Sequence, residues 1–392
     1  MQRAHLDHIL TQILEHAPDT SDIIFTVNKP AQVELHGELC NARLDPDPGP
    51  LLPFQVEAIA MCLMGRQLRL YEDQLRTGSC DLSYELAGRC RFRVNILGQK
   101  GSLAIVMRKL TSQVPTIDEL GLPDVFYRMA KEKFGLILIT GATGTGKTTS
   151  LAALIDNINA SFRKHIVTLE DPIEYVHIHK QGTVNQRELG LDFDTFASGL
   201  RAALRQAPKV ILVGEIRDRE TISIALEAAE TGHLVLGTLH TSDTGQTINR
   251  IIGMFELQEE RLIRSRLAES LKFVVSQRLM PRLGGGRIAA FEILTSTMRI
   301  KDVILNGETE EKNFYEIVDS GDAYGMISFD RFLANLFYEN SIKEEVAMFS
   351  ATDKPRLAQL LDKIKSARGE RVTQIEGLEL DQEYDQKAAL FS

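Results

Sequence analysis

The segment Gly141-Ala142-Thr143-Gly144-Thr145-Gly146-Lys147-Thr148 constrains the possible folds of this chain more than any other part of its sequence. It matches the pattern G-x-x-x-x-G-K-[ST] in full, follows an apolar run at 136–140, and leads into an amphipathic run at 151–158. A strand, a glycine-rich loop and a helix in this order form a phosphate cradle, because the loop amides and the helix N-terminus face the phosphate oxygens. An ordinary glycine-rich turn has no use for a lysine and a threonine at these two positions.

Each residue type of this loop has its own part in binding a nucleoside triphosphate. The glycines let backbone N–H groups surround the phosphates, Lys147 reaches the β- and γ-phosphates, and the Thr148 hydroxyl ligates Mg²⁺. The predicted nucleotide-binding residues are Gly141, Thr143, Gly144, Thr145, Gly146, Lys147, Thr148 and Thr149.

After Phe134 the sequence alternates short apolar runs with helical patterns. Strands are predicted at 136–140, 165–169, 210–213 and 234–239, and helices are predicted to begin near Lys147, Thr195, Arg219 and Thr244. This alternation is typical of a largely parallel sheet covered by helices. The apolar stripe and basic residues at 260–287 predict one long helix that packs on the core or serves packing with other subunits or docking of a partner protein. A strand at 288–294 and mostly helical sequence follow.

The first 110 residues have a different pattern. A short amphipathic helix at 1–16, a hairpin at 21–27 and 32–39, a helix at 54–71 and three strands at 80–86, 90–97 and 103–110 are predicted. We therefore predict an N-terminal α+β domain at 1–110, a linker at 111–133, an ATPase core at 134–295, a helical region at 296–365 and an acidic, disordered tail at 366–392.

Charge and composition exclude several classes of function. The net charge of -9 disfavours nonspecific binding to nucleic acid. The four cysteines, all at or before Cys90, form no Cys-x-x-Cys pair, which argues against a zinc site or a disulfide framework. No apolar run approaches the roughly 20 residues of a membrane-spanning helix, and no signal peptide pattern opens the chain. We expect a soluble, cytoplasmic protein.

Acidic residues follow two of the predicted strands. Glu215 follows the strand at 210–213, and Glu170 and Asp171 follow the strand at 165–169. Carboxyl ends of parallel strands deliver side chains to the nucleotide crevice, so we predict Glu215 as a Mg²⁺ partner with Thr148, and Glu170 as the group that polarises the attacking water.

Basic groups near the predicted strands are further candidates. His233 and His240 bracket the strand at 234–239, where an imidazole could contact the γ-phosphate; each alone would more often be structural, and it is the pair beside the phosphate loop that favours a functional role. The run Arg89-Cys90-Arg91-Phe92-Arg93-Val94 alternates, so a strand would place its arginines on one face, and Arg108 follows on the next strand. These arginines could act as fingers in a neighbouring subunit's site, or form a solvated face paired with Asp81 and Glu85.

The order of four motifs resembles the secretion-superfamily ATPases of type IV pili and type II secretion. They are Gly141 to Thr148, Glu170-Asp171-Pro172-Ile173-Glu174, the segment at 210–218, and Thr231-Gly232-His233 through Thr238-Leu239-His240. The chain is most similar to the pilus retraction group, PilT and PilU, because it lacks the tetracysteine insert typical of assembly ATPases. The resemblance implies a PAS-like N-terminal domain followed by a RecA-like P-loop ATPase domain with a helical C-terminal part.

The resemblance also implies a function. It implies a hexameric ring that hydrolyses ATP with Mg²⁺ and drives pilus retraction and twitching motility. Each active site would receive Arg91, Arg93 or Arg108 from a neighbouring copy, and the ring would turn an inner-membrane platform protein. At 299–306 the chain keeps the apolar spacing of the PilT motif Ala-Ile-Arg-Asn-Leu-Ile-Arg-Glu but has Leu305 in place of its second arginine. A PilU-like accessory ring that supports a PilT partner is therefore the alternative, and a DNA-translocating motor is a third, disfavoured by charge.

Overall fold

The computed structural model describes residues 1–110, 113–310 and 312–370. Most of the predicted acidic tail, residues 371–392, and residues 111 and 112 of the predicted linker therefore lie outside the described residues. Contacts divide the chain into two compact units. Unit 1 comprises Met1–Ile139, Gly146–Leu239 and Arg250–Phe273; unit 2 comprises Thr140–Thr145, His240–Asn249 and the residues from Val274 onward. Among the described helices, none combines the length and the apolar character that crossing a membrane requires.

The N-terminal part of unit 1 is a six-stranded antiparallel sheet with three helices. Its elements are α1 (Arg3–His16), β1 (Asp22–Thr26), β2 (Gln32–Leu35), β3 (Glu38–Asn41), α2 (Pro53–Met64), α3 (Leu68–Thr77), β4 (Ser79–Leu86), β5 (Cys90–Gln99) and β6 (Ser102–Lys109). The strand order is β3-β2-β1-β6-β5-β4. The predicted alternation in β5 is confirmed: Cys90, Phe92 and Val94 are buried in the core, whereas Arg93 is exposed.

The predicted helix at 54–71 is two helices. Gly65 follows the end of α2 with a φ of 58°, a left-handed value that an α-helix cannot contain, and α3 starts only at Leu68. The apolar spacing runs through both helices, so periodicity alone did not reveal the break.

The rest of unit 1 is the α/β part that the sequence pattern predicts. Its elements are α4 (Val125–Lys131), β7 (Gly135–Thr140), α5 (Lys147–Ser161), β8 (His165–Glu170), β9 (Thr183–Glu188), α6 (Phe196–Ala203), β10 (Val210–Val213), α7 (Arg219–Glu230), β11 (Leu234–Leu239) and, after α8 (Thr244–Ile252), most of which belongs to unit 2, α9 (Glu260–Ser270). The strands β7, β11, β10, β8 and β9 lie in that order. Every residue of β7, β10 and β11 is buried, as expected of strands covered on both faces.

Parallel pairing of β8, β10 and β11 fixes where the acidic residues emerge. Val213 pairs with Leu169 of β8 and with Gly237 of β11, so Glu170 and Glu215 leave the sheet at the same edge. Gly214 stands between them because a side chain there would meet the carbonyl oxygen of Leu169 at 2.8 Å. The two strand ends can therefore approach closely.

The predicted helix at 260–287 is wrong beyond Ser270. The helix α9 ends at Ser270, and the chain continues without a glycine or proline break into β12 (Leu271–Pro281). Its apolar residues fit a helical stripe, but Phe273, Val274 and Val275 are also the aromatic and β-branched types that favour strands. The predicted strand at 288–294 is confirmed as β13 (Arg287–Thr295).

The remainder of unit 2 is helical, as predicted. It contains α10 (Met298–Asn306), α11 (Phe314–Asp319), a short 3-10 turn, α12 (Phe329–Tyr338), α13 (Glu344–Phe349) and α14 (Lys354–Ala367). Phe329 and Leu333 of α12 pack with Leu357 and Leu361 of α14 in a small core. The fully buried carboxylate of Asp330 accepts hydrogen bonds from the Tyr315 hydroxyl and two backbone amides, which ties α11 and the start of α14 to α12.

Candidate active site

The phosphate loop connects β7 to α5, as the motif predicts. Gly146 caps α5 with a φ of 90°, a conformation that a side chain would disfavour, and Lys147 begins the helix. The first-turn amides of α5 thus point toward the loop with no acidic residue in that turn. Burial lowers the pKa of Lys147, and the negative charge of Glu215 opposes that shift. Lys147 and Glu215 are therefore electrostatic neighbours.

Glu215 follows β10 and forms an ion pair with Arg217. The guanidinium of Arg217 forms two contacts with its carboxylate, Nε to Oε1 at 2.5 Å and Nη2 to Oε2 at 2.6 Å. These hydrogen bonds raise the pKa of Arg217. The pair fixes the direction of the Glu215 carboxylate, and Arg217 itself remains largely exposed at the crevice edge.

Glu170 ends β8 and turns into the protein. Its carboxyl is 8% exposed and accepts hydrogen bonds from Thr168 Oγ1 at 2.6 Å and from Gln186 Nε2 at 3.0 Å. Burial raises its pKa to about 7, although both hydrogen bonds oppose the shift. Glu170 is therefore partly protonated at neutral pH and is surrounded by protein groups.

Stability should depend on pH through Glu170. Its pKa rises from 4.5 to about 7 on folding, so the folded chain keeps a proton that the unfolded chain releases, and stability falls as pH rises through that window. The shift corresponds to about 3 kcal/mol. We expect Glu170→Gln, which resembles the protonated acid, to raise the free energy of unfolding at pH 8 by an amount of this order and to change it little at pH 5. Denaturant titrations at both pH values measure this difference; an equal effect at both would contradict it.

Glu174 is a functional candidate that our sequence-based assignment of roles missed. It lies half-buried in the loop after β8, four residues beyond Glu170, and the Thr148 hydroxyl hydrogen-bonds to its carboxylate. Burial raises its pKa, while the positive charge of Arg93 and the Thr148 hydrogen bond oppose the rise. The only available sequence signal was its place in the motif Glu170-Asp171-Pro172-Ile173-Glu174. A second contact from this loop, Tyr175 to Thr149 Oγ1 at 3.1 Å, holds it against α5.

The three predicted arginines have different surroundings. Arg91 donates to Glu188 at 3.0 Å, and Arg108 donates to the buried Asp22 at 2.9 Å. Arg93 is exposed, and its charge acts on Glu174 of the same chain. The structure thus places Arg93 within electrostatic range of Glu174, and it engages Arg91 and Arg108 in ion pairs within the chain.

The two predicted histidines lie at opposite ends of one strand. His233 precedes β11, and its Nδ1 lies 3.1 Å from the carbonyl oxygen of Ala228. His240 directly follows β11 and is exposed. A six-residue strand spans about 20 Å, and Glu215 follows the carboxyl end of the parallel neighbour β10. His233 is therefore placed away from Glu215.

Comparison with known proteins identifies the family. The family model described as "Type II/IV secretion system protein" matches residues 76–314, more than half of the chain. The chain belongs to this family. The matched range contains the phosphate loop, Glu174 and Glu215, as well as the arginines of β5.

Individual relatives of this secretion-family protein cover most of its length. It is 42% identical to the type IV pilus retraction ATPase PilT of Pseudomonas aeruginosa over 328 residues, which are 83% of this chain and 93% of the relative. It is 37% identical to the type IV pilus ATPase PilU of the same organism, over 84% of this chain and 85% of the relative. A crystal structure of the pilus retraction motor PilT with bound ADP has a TM-score of 0.80 and 38% identity, covering 90% of this chain and 99% of that one.

Proposed function

We propose that this chain is an ATP-hydrolysing motor that powers type IV pilus retraction. The observation that carries the proposal is the similarity to PilT over 93% of that relative's length, together with a phosphate loop whose Thr148 contacts an acidic residue, Glu174. The reaction is attack of water on the γ-phosphate of ATP, which yields ADP and phosphate. Positioning and charge stabilisation do most of the work in such reactions.

The chain's own residues divide the reaction among them. The loop amides and Lys147 hold the phosphates, and Glu174 orients the attacking water and takes its proton. Arg93 stabilises the charge that develops on the γ-phosphate. Glu215 lies on the phosphate side with Lys147 as an electrostatic neighbour. The role of Glu170, which the sequence pattern suggested for the water, remains a prediction; its contacts with Thr168 and Gln186 make Glu174 the better candidate.

The residues at this site fit a Mg²⁺ ion. The ion prefers hard oxygen ligands and usually takes only one or two from the protein, with phosphates and waters supplying the rest. Thr148 Oγ1, while donating to Glu174, keeps lone pairs for a metal, and Glu215 supplies a carboxylate. Thr148 would hold the ion directly and Glu215 would orient its waters; the bound ion would neutralise charge on the β- and γ-phosphates.

Assembly and partners follow from the same proposal. A homo-hexameric ring would act at the cytoplasmic side of the inner membrane, turn the pilus platform protein as ATP binds and leaves, and bind no nucleic acid. The net charge of -9 is consistent with the last point. Light scattering with gel filtration, with and without an ATP analogue, tests the ring; a monomer under all conditions at working concentration would contradict it.

A PilU-like accessory role is the second candidate, and α10 is the observation that favours it. This helix carries residues 299–306, buries Ile300, Val303 and Ile304, and exposes Leu305 at the position where the PilT motif has its second arginine. An accessory ring would need a PilT partner for retraction. The exposed leucine cannot make the ion pairs of an arginine.

Three measurements test the function. We expect the purified chain to hydrolyse ATP with Mg²⁺ and to lose nucleotide binding on Lys147→Ala, because the amine that holds the phosphates is removed. We also expect it to restore twitching to Pseudomonas aeruginosa lacking its own PilT. Restoration only when an inactive PilT is present would favour the accessory role, and absence of ATP hydrolysis under all conditions would contradict the motor.

A further inference from the structure

Glu188 joins three segments of unit 1 through a single oxygen atom. It ends β9, is 3% exposed, and pairs in register with Glu170 of β8. Its Oε2 accepts hydrogen bonds from Ser83 Oγ at 2.9 Å, from Arg91 Nη2 at 3.0 Å and from the backbone amide of Ile173 at 3.1 Å. Two of these donors belong to the N-terminal sheet, and the third belongs to the loop after β8.

On the side of the loop after β8, the hydrogen bond from Ile173 to Glu188 lies next to Glu174. Ile173 directly precedes Glu174, whose carboxylate is hydrogen-bonded by Thr148 of the phosphate loop. Because the Ile173 amide is bonded to Glu188, a displacement of the Glu188 carboxylate changes where the next peptide places Glu174. A shift of about 1 Å at such a position is enough to slow a reaction severely.

On the side of the N-terminal sheet, the donors to Glu188 lie next to Arg93, the arginine proposed for catalysis. Ser83 lies in β4 and Arg91 in β5, and the Cα of Ser83 pairs with that of Arg93. Within the part of the chain that the structure describes, Arg91 Nε is buried without a hydrogen-bond partner. Arginine–carboxylate pairs are frequently bidentate, whereas here Nη2 alone contacts the carboxylate, so the contact depends on where β5 holds Arg91.

We infer that Glu188 is a positioning residue that couples the N-terminal sheet to Glu174. When β4 and β5 hold their donors against Glu188, the carboxylate keeps the position that places Ile173 and Glu174; when the sheet moves away, the carboxylate loses two of its three donors and with them its fixed position. The inference rests on the proposed function for its effect on catalysis, but the mechanical coupling exists with or without nucleotide.

Hydrogen exchange of the nucleotide-free protein tests the coupling. We expect Arg91→Gln to speed exchange of the Ile173 amide about tenfold, because the Glu188 carboxylate loses its charged partner and its fixed position. Arg89→Gln is the matched control: Arg89 precedes the same strand and pairs with Glu15 on the surface, so exchange at Ile173 should not change. Unchanged exchange in Arg91→Gln, or an equal increase in both variants, would overturn the coupling.

Kinetics test the positioning role. We expect Glu188→Gln to lower kcat about tenfold with KM for ATP within about twofold, since only the geometry of Glu174 is affected. In a Glu174→Gln background, single-turnover rates should show no further loss. An additional tenfold loss there, or a higher KM with unchanged kcat, would overturn the role. If Glu188→Gln does not fold, Ser83→Ala, which removes one neutral donor, replaces it with an expected threefold loss. Wild-type protein without ATPase activity would instead contradict the proposed function, and the exchange comparison would still decide the coupling.

Discussion

Replacing Glu174 by glutamine is expected to slow ATP hydrolysis by about 100-fold or more, because the amide cannot take the proton of the attacking water. Nucleotide binding should persist, since Lys147 and the loop amides are unchanged and the glutamine side chain has the same shape. The measurement is turnover under saturating ATP and Mg²⁺ beside equilibrium binding of a fluorescent ATP analogue.

Glu170→Gln is the matched control for this prediction. It makes the same chemical change four residues earlier, at a carboxyl that contacts Thr168 and Gln186. We expect it to lower turnover less than about fivefold, the range of an indirect packing effect. If Glu170→Gln is the severe variant and Glu174→Gln retains turnover, the assignment from the sequence pattern is right and the one from the geometry is wrong.

The surroundings of Glu170 and Glu174 show how much of the site the sequence could predict. Strands such as β7 and β10 are short, apolar and bounded by the phosphate loop or by turns, so their positions and the emergence of Glu170 and Glu215 at one edge followed from pattern alone. The direction in which the Glu170 side chain points could not be predicted from that pattern. Glu170 turns inward because Thr168 and Gln186 supply donors there, and Gln186 belongs to a strand that the sequence pattern did not reveal.

That missing strand, β9, explains most of the remaining gap. Its residues from Thr183 to Glu188 are mainly polar, and their burial depends on partners that are distant in sequence. Glu188 meets Ser83 and Arg91 about a hundred residues away, which no periodicity can indicate. The error at 271–281 has the opposite cause: the local pattern was strong there, but it fitted a helix and a strand equally well, and the hydrogen-bonded pairing of β12 with β13 determined the outcome.

Replacing Arg93 by glutamine is expected to lower kcat about 1000-fold, the effect typical of losing an arginine that stabilises the transferred phosphoryl group. Arg93 is exposed on β5, and its charge acts on Glu174, so the variant should fold normally and still bind ATP. Arg89→Gln removes a nearby guanidinium that pairs with Glu15 and should leave turnover within about twofold.

Mixing two inactive variants decides which chain supplies the arginine. If Arg93 serves its own chain, the arrangement that its charge effect on Glu174 favours, equal amounts of Arg93→Gln and Glu174→Gln should give no recovery, because every site then lacks one of the two groups. If Arg93 instead enters the site of a neighbour, as the strand pattern and the resemblance suggested, about a quarter of the interfaces in a mixed ring carry both intact groups and activity returns to about that fraction. Recovery at this level would assign catalysis to two copies, and its absence would assign it to one chain, with the ring needed only to convert the motion of each N-terminal sheet into work.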